Sequence, residues 1–181
     1  LGLLAIDTWA RSSKKGKRST AERKKESGLE SERWLNQSQA VEELANADIT
    51  FIHVEDREGD IYNSLSSRLS DGHRFIVRGK SDKVALIGDQ PQNIAEYARE
   101  LKREYSRSTQ LSARKPHPAA KKTRHFRRQR NAVLGIARAT IELRRPILNK
   151  TDPESIPLNI VHILEQGDIP DGEERVEWLL F

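Results

Sequence analysis

The stretch of sequence that decides the fold is Ile-His-Val-Glu-Asp-Arg-Glu-Gly-Asp-Ile-Tyr, residues 52–62. An apolar run ends abruptly in a charged cluster, and a glycine and a helix-like segment follow. Asp56 is therefore placed where a buried strand delivers a carboxylate to a sheet edge, which is a rigid position for a metal ligand. The alternative is that Asp56 and Asp60 cap the following helix, because a negative charge near a helix amino terminus is mildly favourable.

The segments on either side of this stretch alternate between strand and helix patterns. Residues 1–10, 49–54 and 74–79 are short apolar runs that are typical of strands. Residues 30–44 and 60–69 show helical spacing, and in the second of these segments one stripe is formed by Ile61, Leu65 and Leu69. This order predicts an α/β fold, in which ligand sites lie at the carboxyl ends of the strands.

The second half of the chain is richer in strand patterns. Residues 91–105 predict an isolated helix, and residues 106–130 predict a basic connector. Further strands are predicted at residues 132–143, 158–165 and 176–181, and the last two are separated by a turn-like segment. The chain therefore divides into an α/β part and a β-rich part.

The composition favours a polyanionic partner. The chain has 181 residues, of which 35% are hydrophobic and 33% charged, and its net charge is +5. Such a chain has a modest core and a largely solvated surface that attracts polyanions. Because cysteine is absent, disulfides and thiolate metal sites are excluded. No apolar run approaches the roughly 20 residues that cross a bilayer, so we expect no membrane segment.

Charge is distributed in blocks along the chain. Residues 11–25 carry eight Lys or Arg against one acid, and residues 107–130 carry nine and no acid. Residues 151–177 reverse the sign, with eight acids against one arginine. We predict that the two basic blocks bind phosphates without reading sequence, although both patterns also suit solvated loops. The candidate contacts are Lys14, Lys15, Lys17, Arg18, Arg124, Arg127, Arg128 and Arg130.

Two further features concern the chain ends and the histidines. The sequence contains no methionine, starts with Leu-Gly-Leu-Leu and ends in the apolar run 176–181, so we expect an internal fragment of a longer protein. The histidines show no metal-ligand spacing, and no catalytic role is predicted for them: they are His53, His73, His117, His125 and His162.

Residues 54–62, followed by Arg-Phe-Ile-Val-Arg-Gly-Lys at residues 74–80, resemble the central core of bacterial insertion-sequence transposases of the DDE class. In that family an aspartate at a strand end precedes Arg-Glu-small-Asp-Ile, a helix, and a strand of the form Arg-Phe-apolar-apolar-Arg. Weaker similarity at residues 2–11, 26–35 and 176–180 extends the resemblance over nearly the whole chain.

The resemblance implies a partial ribonuclease H-like core, a mixed sheet with helices, plus a β-rich insertion. Residues 1–80 would form the core, residues 81–175 the insertion, and residues 176–181 a strand that returns to the core. It also implies an enzyme that cleaves and transfers DNA strands with two Mg²⁺ (or Mn²⁺) ions held by three carboxylates. Asp56 would be the catalytic metal ligand that matches the second carboxylate. The other two would lie outside this chain, so the fragment alone would be inactive.

The resemblance also suggests DNA contacts and partners. Arg78 and Lys80 match basic positions near the family's active site, and two residues apart on a strand they would face the same side, although they could also be solvated charges. Arg57 is a further candidate that would either steady Asp56 or pair with Glu58. The implied partners are double-stranded DNA of transposon ends and target and a second copy in a synaptic homodimer, in the bacterial cytoplasm at the nucleoid.

Two other hypotheses remain open from the sequence. The chain could be a non-catalytic, basic nucleic-acid-binding α/β module whose acidic cluster only caps a helix. It could also be a decayed gene product that folds poorly.

Overall fold

The computed structural model describes Ile6, Thr8 and residues 30–44, 49–115, 126–147 and 149–181. The chain divides between Val77 and Arg78 into two compact units. The described part contains three α-helices and eight strands, which confirms the mixed α/β class. Apart from Ile6 and Thr8, the strand predicted at residues 1–10 and the basic block at residues 11–25 lie outside the described residues.

The first unit is built on a parallel pair of strands. Its elements are α1 (Glu30–Glu42), β1 (Ile52–Glu55), a short 3₁₀ turn (Arg57–Gly59), α2 (Tyr62–Ser70) and β2 (Arg74–Val77). β1 and β2 pair in parallel, with Ile52 opposite Arg74 and Glu55 opposite Val77. Parallel strands need a crossover connection, which α2 provides here. The strand and helix order predicted around residues 52–62 is therefore confirmed, with boundaries that shift by one to three residues.

The two faces of this strand pair are different. His53 and Glu55 lie on the face that contacts side chains of α1 and α2. The opposite face exposes three apolar side chains: Ile52 is 57% exposed, Val54 73% and Ile76 46%. Because successive residues of a strand point to opposite sides, the alternation along β1 separates a polar, covered face from an apolar, exposed one.

The second unit is a six-stranded antiparallel sheet with one helix. Its elements are β3 (Val84–Ile87), β4 (Gln90–Asn93), α3 (Ile94–Glu100), β5 (Tyr105–Leu111), β6 (Arg130–Arg144), β7 (Ser155–Gln166) and β8 (Glu177–Leu180). The strand order is β4-β3-β6-β7-β8, and β5 pairs with β6 beside β3. The β-rich second half predicted from the sequence is thus present.

The core of the second unit follows the alternation of its two longest strands. β6 and β7 pair from Val133 opposite Gln166 to Arg144 opposite Ser155. Their inward residues are almost fully buried, as is Ile94 at the start of α3. The buried strand residues include Ala137, Ile141, Leu143, Ile156, Leu158 and Ile160. A continuous apolar layer therefore lies along the β6–β7 hairpin.

The helix predicted at residues 91–105 is present but shorter, since it spans only Ile94–Glu100. Pro91 belongs to β4, opposite Leu86, and Tyr105 begins β5. The helix is confined to α3 because Asn93 caps its start, where the side-chain oxygen accepts hydrogen bonds from the amides of Ala95 at 2.9 Å and Glu96 at 3.1 Å. Part of the predicted connector is likewise strand, since residues 105–111 pair along β6.

The segment after β2 also differs from the prediction. β2 ends at Val77, although a strand was predicted as far as residue 79. Arg78 instead forms a bridge with Leu180, and the Gly79 amide donates a hydrogen bond to the Leu179 carbonyl at 2.7 Å. β8 itself pairs antiparallel with β7 in the six-stranded sheet. Its return to a core sheet stays a prediction.

No helix among the described residues is long and apolar enough to span a membrane.

Candidate functional site

Asp56 lies directly after β1, at the carboxyl end of a parallel strand. Its backbone is extended, with φ −80° and ψ −175°, and its carbonyl accepts a hydrogen bond from the Gly59 amide at 2.8 Å. Its side chain is exposed and does not cap the 3₁₀ turn. Residue Ile61 occupies the cap position of α2, and Asp60 before it is only 3% exposed. Neither Asp56 nor Asp60 thus occupies the cap position of α2.

A buried ion pair fixes the residue that precedes Asp56. Glu55 receives two hydrogen bonds from Arg68, at 2.6 and 3.1 Å, and Arg68 also donates to the Ser38 hydroxyl at 2.8 Å. The Arg68 side chain is 1% exposed and that of Glu55 is 8% exposed. A two-pronged arginine–carboxylate contact is geometrically specific, so it ties β1 to α1 and α2 at the point where the chain turns into Asp56.

This arrangement was not predicted from the sequence. The apolar stripe proposed for residues 60–69 included Leu65, which is fully buried, and Leu69, which is 37% exposed. Arg68 takes the inward position beside Leu65 instead. An arginine on a short helix is ordinarily solvated, and only the pairing with Glu55, thirteen residues away in sequence, makes its burial favourable.

Gly59 is required by a close approach inside this turn. A Cβ atom at residue 59 would lie 1.9 Å from Glu55 Oε2. The Glu55 carboxylate cannot move away without losing Arg68. The glycine in the Glu-Gly-Asp stretch thus lets the 3₁₀ turn fold back over the buried ion pair.

A second polar cluster lies in the same unit and joins three elements. Glu42 ends α1, His53 is on β1, and His73 immediately precedes β2. Glu42 Oε1 lies 2.7 Å from His53 Nε2, and Glu42 Oε2 lies 3.2 Å from His73 Nε2. One donor atom from each of the three residues can be chosen so that all lie within 4.8 Å of one another. This is the one such group of three in the part of the chain that the structure describes.

The surroundings of His53 favour its neutral imidazole. Burial lowers the pKa of His53 below its ordinary value of 6.5, the positive charge of Arg68 lowers it further, and Glu42 offsets part of the shift. The Phe51 ring lies beside both imidazoles, with centroid distances of 6.2 Å to His53 and 6.5 Å to His73. A cleft of about 300 Å³ between α1 and β1 reaches His53 and Glu55.

Sequence spacing did not indicate this cluster. Glu42, His53 and His73 are separated by eleven and twenty positions, which fits no local metal motif. The two histidines come together because the parallel register places His53 opposite Phe75, two residues after His73. The contact is set by strand pairing and by the packing of α1.

The predicted DNA contacts of the second unit have different surroundings. The guanidinium of Arg78 lies 5.5 Å from the centroid of the Trp178 ring, and Lys80 is exposed. Arg130 forms ion pairs with Glu165 and Glu173, and its side chain is 13% exposed. Its charge is therefore neutralised within the protein, an arrangement that does not favour the predicted phosphate contact.

The two described segments of the second basic block meet at a backbone bridge. Arg114 and Arg127 exchange hydrogen bonds, at 2.7 Å and 3.0 Å between amide and carbonyl. Arg128 is exposed, and its guanidinium lies 5.8 Å from the centroid of the Phe126 ring. With the exposed Lys115, these residues form a group that we call the basic bridge: Arg114, Lys115, Arg127 and Arg128.

The remaining predicted site residues are distributed as follows. Arg57 is exposed within the 3₁₀ turn, next to Asp56. Five of the predicted phosphate contacts lie outside the described residues: Lys14, Lys15, Lys17, Arg18 and Arg124.

The described residues do not make up a complete two-ion Mg²⁺ site. Asp56 offers an exposed carboxylate directly after a strand, as such a site requires. Within the described ranges, however, it belongs to no group of three metal-type side chains. The role of Asp56 as a metal ligand therefore stays a prediction.

No protein-family model matches the chain, and no curated protein is significantly similar to it.

Proposed function

We propose that this chain is the middle segment of a DDE-class transposase with a ribonuclease H-like core, an enzyme that cleaves and joins DNA strands at transposon ends. One observation supports this most strongly. An exposed carboxylate, Asp56, follows a parallel strand directly, and the residue before it is fixed by the buried Arg68 pair. Metal-dependent phosphoryl transfer needs a carboxylate whose position is set before the ion binds.

The residues around Asp56 have positioning roles in this proposal. Arg68 and Glu55 hold the end of β1, and Gly59 lets the following turn close over them. Two Mg²⁺ ions in the complete enzyme would activate the attacking oxygen and stabilise the leaving one. DNA phosphates would be held by Lys80 and by the basic bridge, and the complete protein would act as a synaptic dimer.

The test uses a complete protein that contains this chain and supplies the two further carboxylates. Asp56→Asn should abolish Mg²⁺-dependent strand cleavage while leaving binding to transposon-end DNA within a factor of about two, because Asp56 is proposed to hold metal and not DNA. Glu58→Gln is the matched control, since it removes an equally exposed negative charge two residues away and should cleave normally. Cleavage at the wild-type rate by Asp56→Asn would refute the proposal.

A non-catalytic nucleic-acid-binding module is the second candidate, and the basic bridge favours it. Four cations on two chain segments, three of them exposed, match a phosphate-binding surface that does not read sequence. In this case the complete protein would bind DNA with a steep salt dependence. Neither the wild type nor Asp56→Asn would cleave DNA, and the two would bind it equally. The Asp56 experiment therefore separates the two candidates.

A further inference from the structure

We propose that Glu42, His53 and His73 bind one divalent transition-metal ion of the Zn²⁺ type, in a site that clamps α1 to the β1–β2 pair. The three residues come from α1, β1 and the residue before β2. All belong to the first unit, and the proposal does not depend on DNA chemistry or on Asp56.

The donor distances suit a small cation. In a tetrahedral Zn²⁺ site with bonds of about 2.0–2.1 Å, neighbouring donor atoms lie about 3.3 Å apart. The observed separations are 2.7 Å from Glu42 Oε1 to His53 Nε2 and 3.2 Å from Glu42 Oε2 to His73 Nε2. With one donor atom taken from each residue, all three lie within 4.8 Å of one another. Small side-chain adjustments therefore bring all three to bonding distance from one ion.

Two of the donor atoms are buried and face each other. Glu42 Oε1 and His53 Nε2 are inaccessible to solvent, and neither makes a hydrogen bond of acceptable direction despite their 2.7 Å separation. Two buried polar atoms in close contact without an aligned hydrogen bond between them call for a specific explanation. A cation bound to Glu42 Oε1 and His53 Nε2 would give both atoms a partner. No hydrogen bond between them would then be needed.

The donor set selects the class of metal. Two imidazoles and one carboxylate are typical ligands of Zn²⁺ and its neighbours in the transition series, whereas Mg²⁺ and Ca²⁺ prefer oxygen donors alone. The site therefore differs from the Mg²⁺ site proposed at Asp56. Three protein ligands leave the fourth tetrahedral position for water, and the partial exposure of His73, 25% for its side chain, gives an entry route.

The test is a Co²⁺ and Zn²⁺ titration of the 181-residue chain after treatment with a chelator. One equivalent of Co²⁺ should bind and give the visible absorption of a tetrahedral nitrogen- and oxygen-ligated ion, and Zn²⁺ should displace it. Mg²⁺ in large excess should not. A dissociation constant weaker than about 1 mM for both Co²⁺ and Zn²⁺ would overturn the proposal.

Variants identify the ligands. Glu42→Gln, His53→Gln and His73→Gln should each weaken binding by about 100-fold or more, because loss of even a residue that only supports a ligand typically costs about 10- to 100-fold. His162→Gln is the matched control, because His162 also contacts a carboxylate, that of Glu177, but belongs to no group of three ligands in the described residues. His162→Gln should bind Co²⁺ like the wild type.

The variant of His73, the most exposed of the three ligands, serves as the control for folding. His73→Gln should keep the circular dichroism spectrum of the wild type, and Zn²⁺ should raise the melting temperature of the wild type but not of this variant. If His73→Gln is folded and binds Co²⁺ or Zn²⁺ as tightly as the wild type, the assigned ligand set is wrong. If Glu42→Gln or His53→Gln unfolds, the comparison of His73→Gln with His162→Gln still decides the proposal.

Discussion

Arg68 shows how one residue determines the geometry at the end of β1. It carries a charge in a position that is 1% exposed, and its guanidinium contacts Glu55 and Ser38 on two other elements. Taking such a pair out of water is unfavourable, and the attraction between the two groups repays this only in good geometry. The pair therefore contributes more to the position of Asp56 than to the overall free energy of folding.

Removing one partner of this pair should be strongly destabilising. Arg68→Met leaves the Glu55 carboxylate buried without its counter-charge, so we expect the free energy of unfolding to fall by about 3–5 kcal/mol. Urea unfolding followed by circular dichroism measures the change. Arg74→Met, which removes an exposed arginine from β2, is the control and should change the value by less than about 0.5 kcal/mol.

A double variant shows whether Arg68→Met loses stability because the Glu55 charge is left buried without a partner or because packing is lost. Glu55→Gln combined with Arg68→Met removes both charges, and it should recover a large part of the stability lost in Arg68→Met alone. If the two single changes were simply additive, the ion pair would have no coupling and this account of Arg68 would fail.

At the scale of elements, the β6–β7 hairpin is fixed at its open end by a carboxylate that stays ionised. Glu165 on β7 is 2% exposed. Burial opposes its ionisation, but hydrogen bonds from Arg130 and from the Val176 amide outweigh this and hold the pKa of the carboxyl below the usual 4.5. Glu173, which lies before β8, forms a second ion pair with Arg130. The cluster therefore connects β6, β7 and the segment before β8.

The sign of the pH dependence follows from this lowered pKa. A carboxyl group with a lower pKa in the folded state binds protons more weakly there than in the unfolded chain. Its contribution to stability is therefore complete above about pH 4.5 and is lost as the pH falls through the folded-state pKa. We expect Glu165→Gln to be less stable than the wild type at neutral pH and to show a weaker loss of stability below about pH 4.5.

The measurement is the melting temperature across this pH range. Glu154→Gln, which replaces an exposed glutamate in the loop before β7, should follow the wild-type curve. Equal steepness in Glu165→Gln and the wild type would show that the Arg130 cluster does not contribute to the acid sensitivity.

The elements that could be predicted are those whose pattern is local. Helical spacing identified α1 and α2, and apolar runs identified β1 and β2. Each of these four elements was predictable because its own residues show the pattern of its type. β5 was missed because Tyr-Ser-Arg-Ser-Thr-Gln-Leu has no apolar alternation, and it is a strand only through its pairing with β6. The cap at Asn93 was readable, and it would have separated α3 from β4.

The candidate site likewise contains one feature with a local sequence signal and two features without one. Asp56 was predicted at a strand end and is found there, since the end of an apolar run is a local signal. The pair of Arg68 with Glu55 and the cluster of Glu42 with two histidines depend on how α1, α2 and the strands pack. Such tertiary contacts have no local signal in one sequence, which is why both escaped prediction.

At the scale of the whole molecule, most of the buried apolar residues in the described part of the chain belong to the second unit. The second unit has a six-stranded sheet, and α3 is tied to β7 and β8 by polar contacts that stay within residues 78–181. Arg99 donates two hydrogen bonds to Glu177, at 2.7 and 3.0 Å, and Glu177 also lies 3.0 Å from the buried His162. Arg103 contacts the other nitrogen of the same imidazole at 3.0 Å.

The second unit should therefore fold when it is produced alone. A chain of residues 78–181 retains its apolar layer and all of the polar partners just described, so we expect a β-rich circular dichroism spectrum and a single cooperative unfolding transition. Residues 1–77 form the comparison, because their described strands make up a two-stranded sheet, and a pair of strands with an exposed apolar face is marginal in water. This chain should be the less stable of the two and should aggregate more readily. Cooperative unfolding of residues 1–77 together with an unfolded 78–181 chain would reverse the assignment of stability to the second unit.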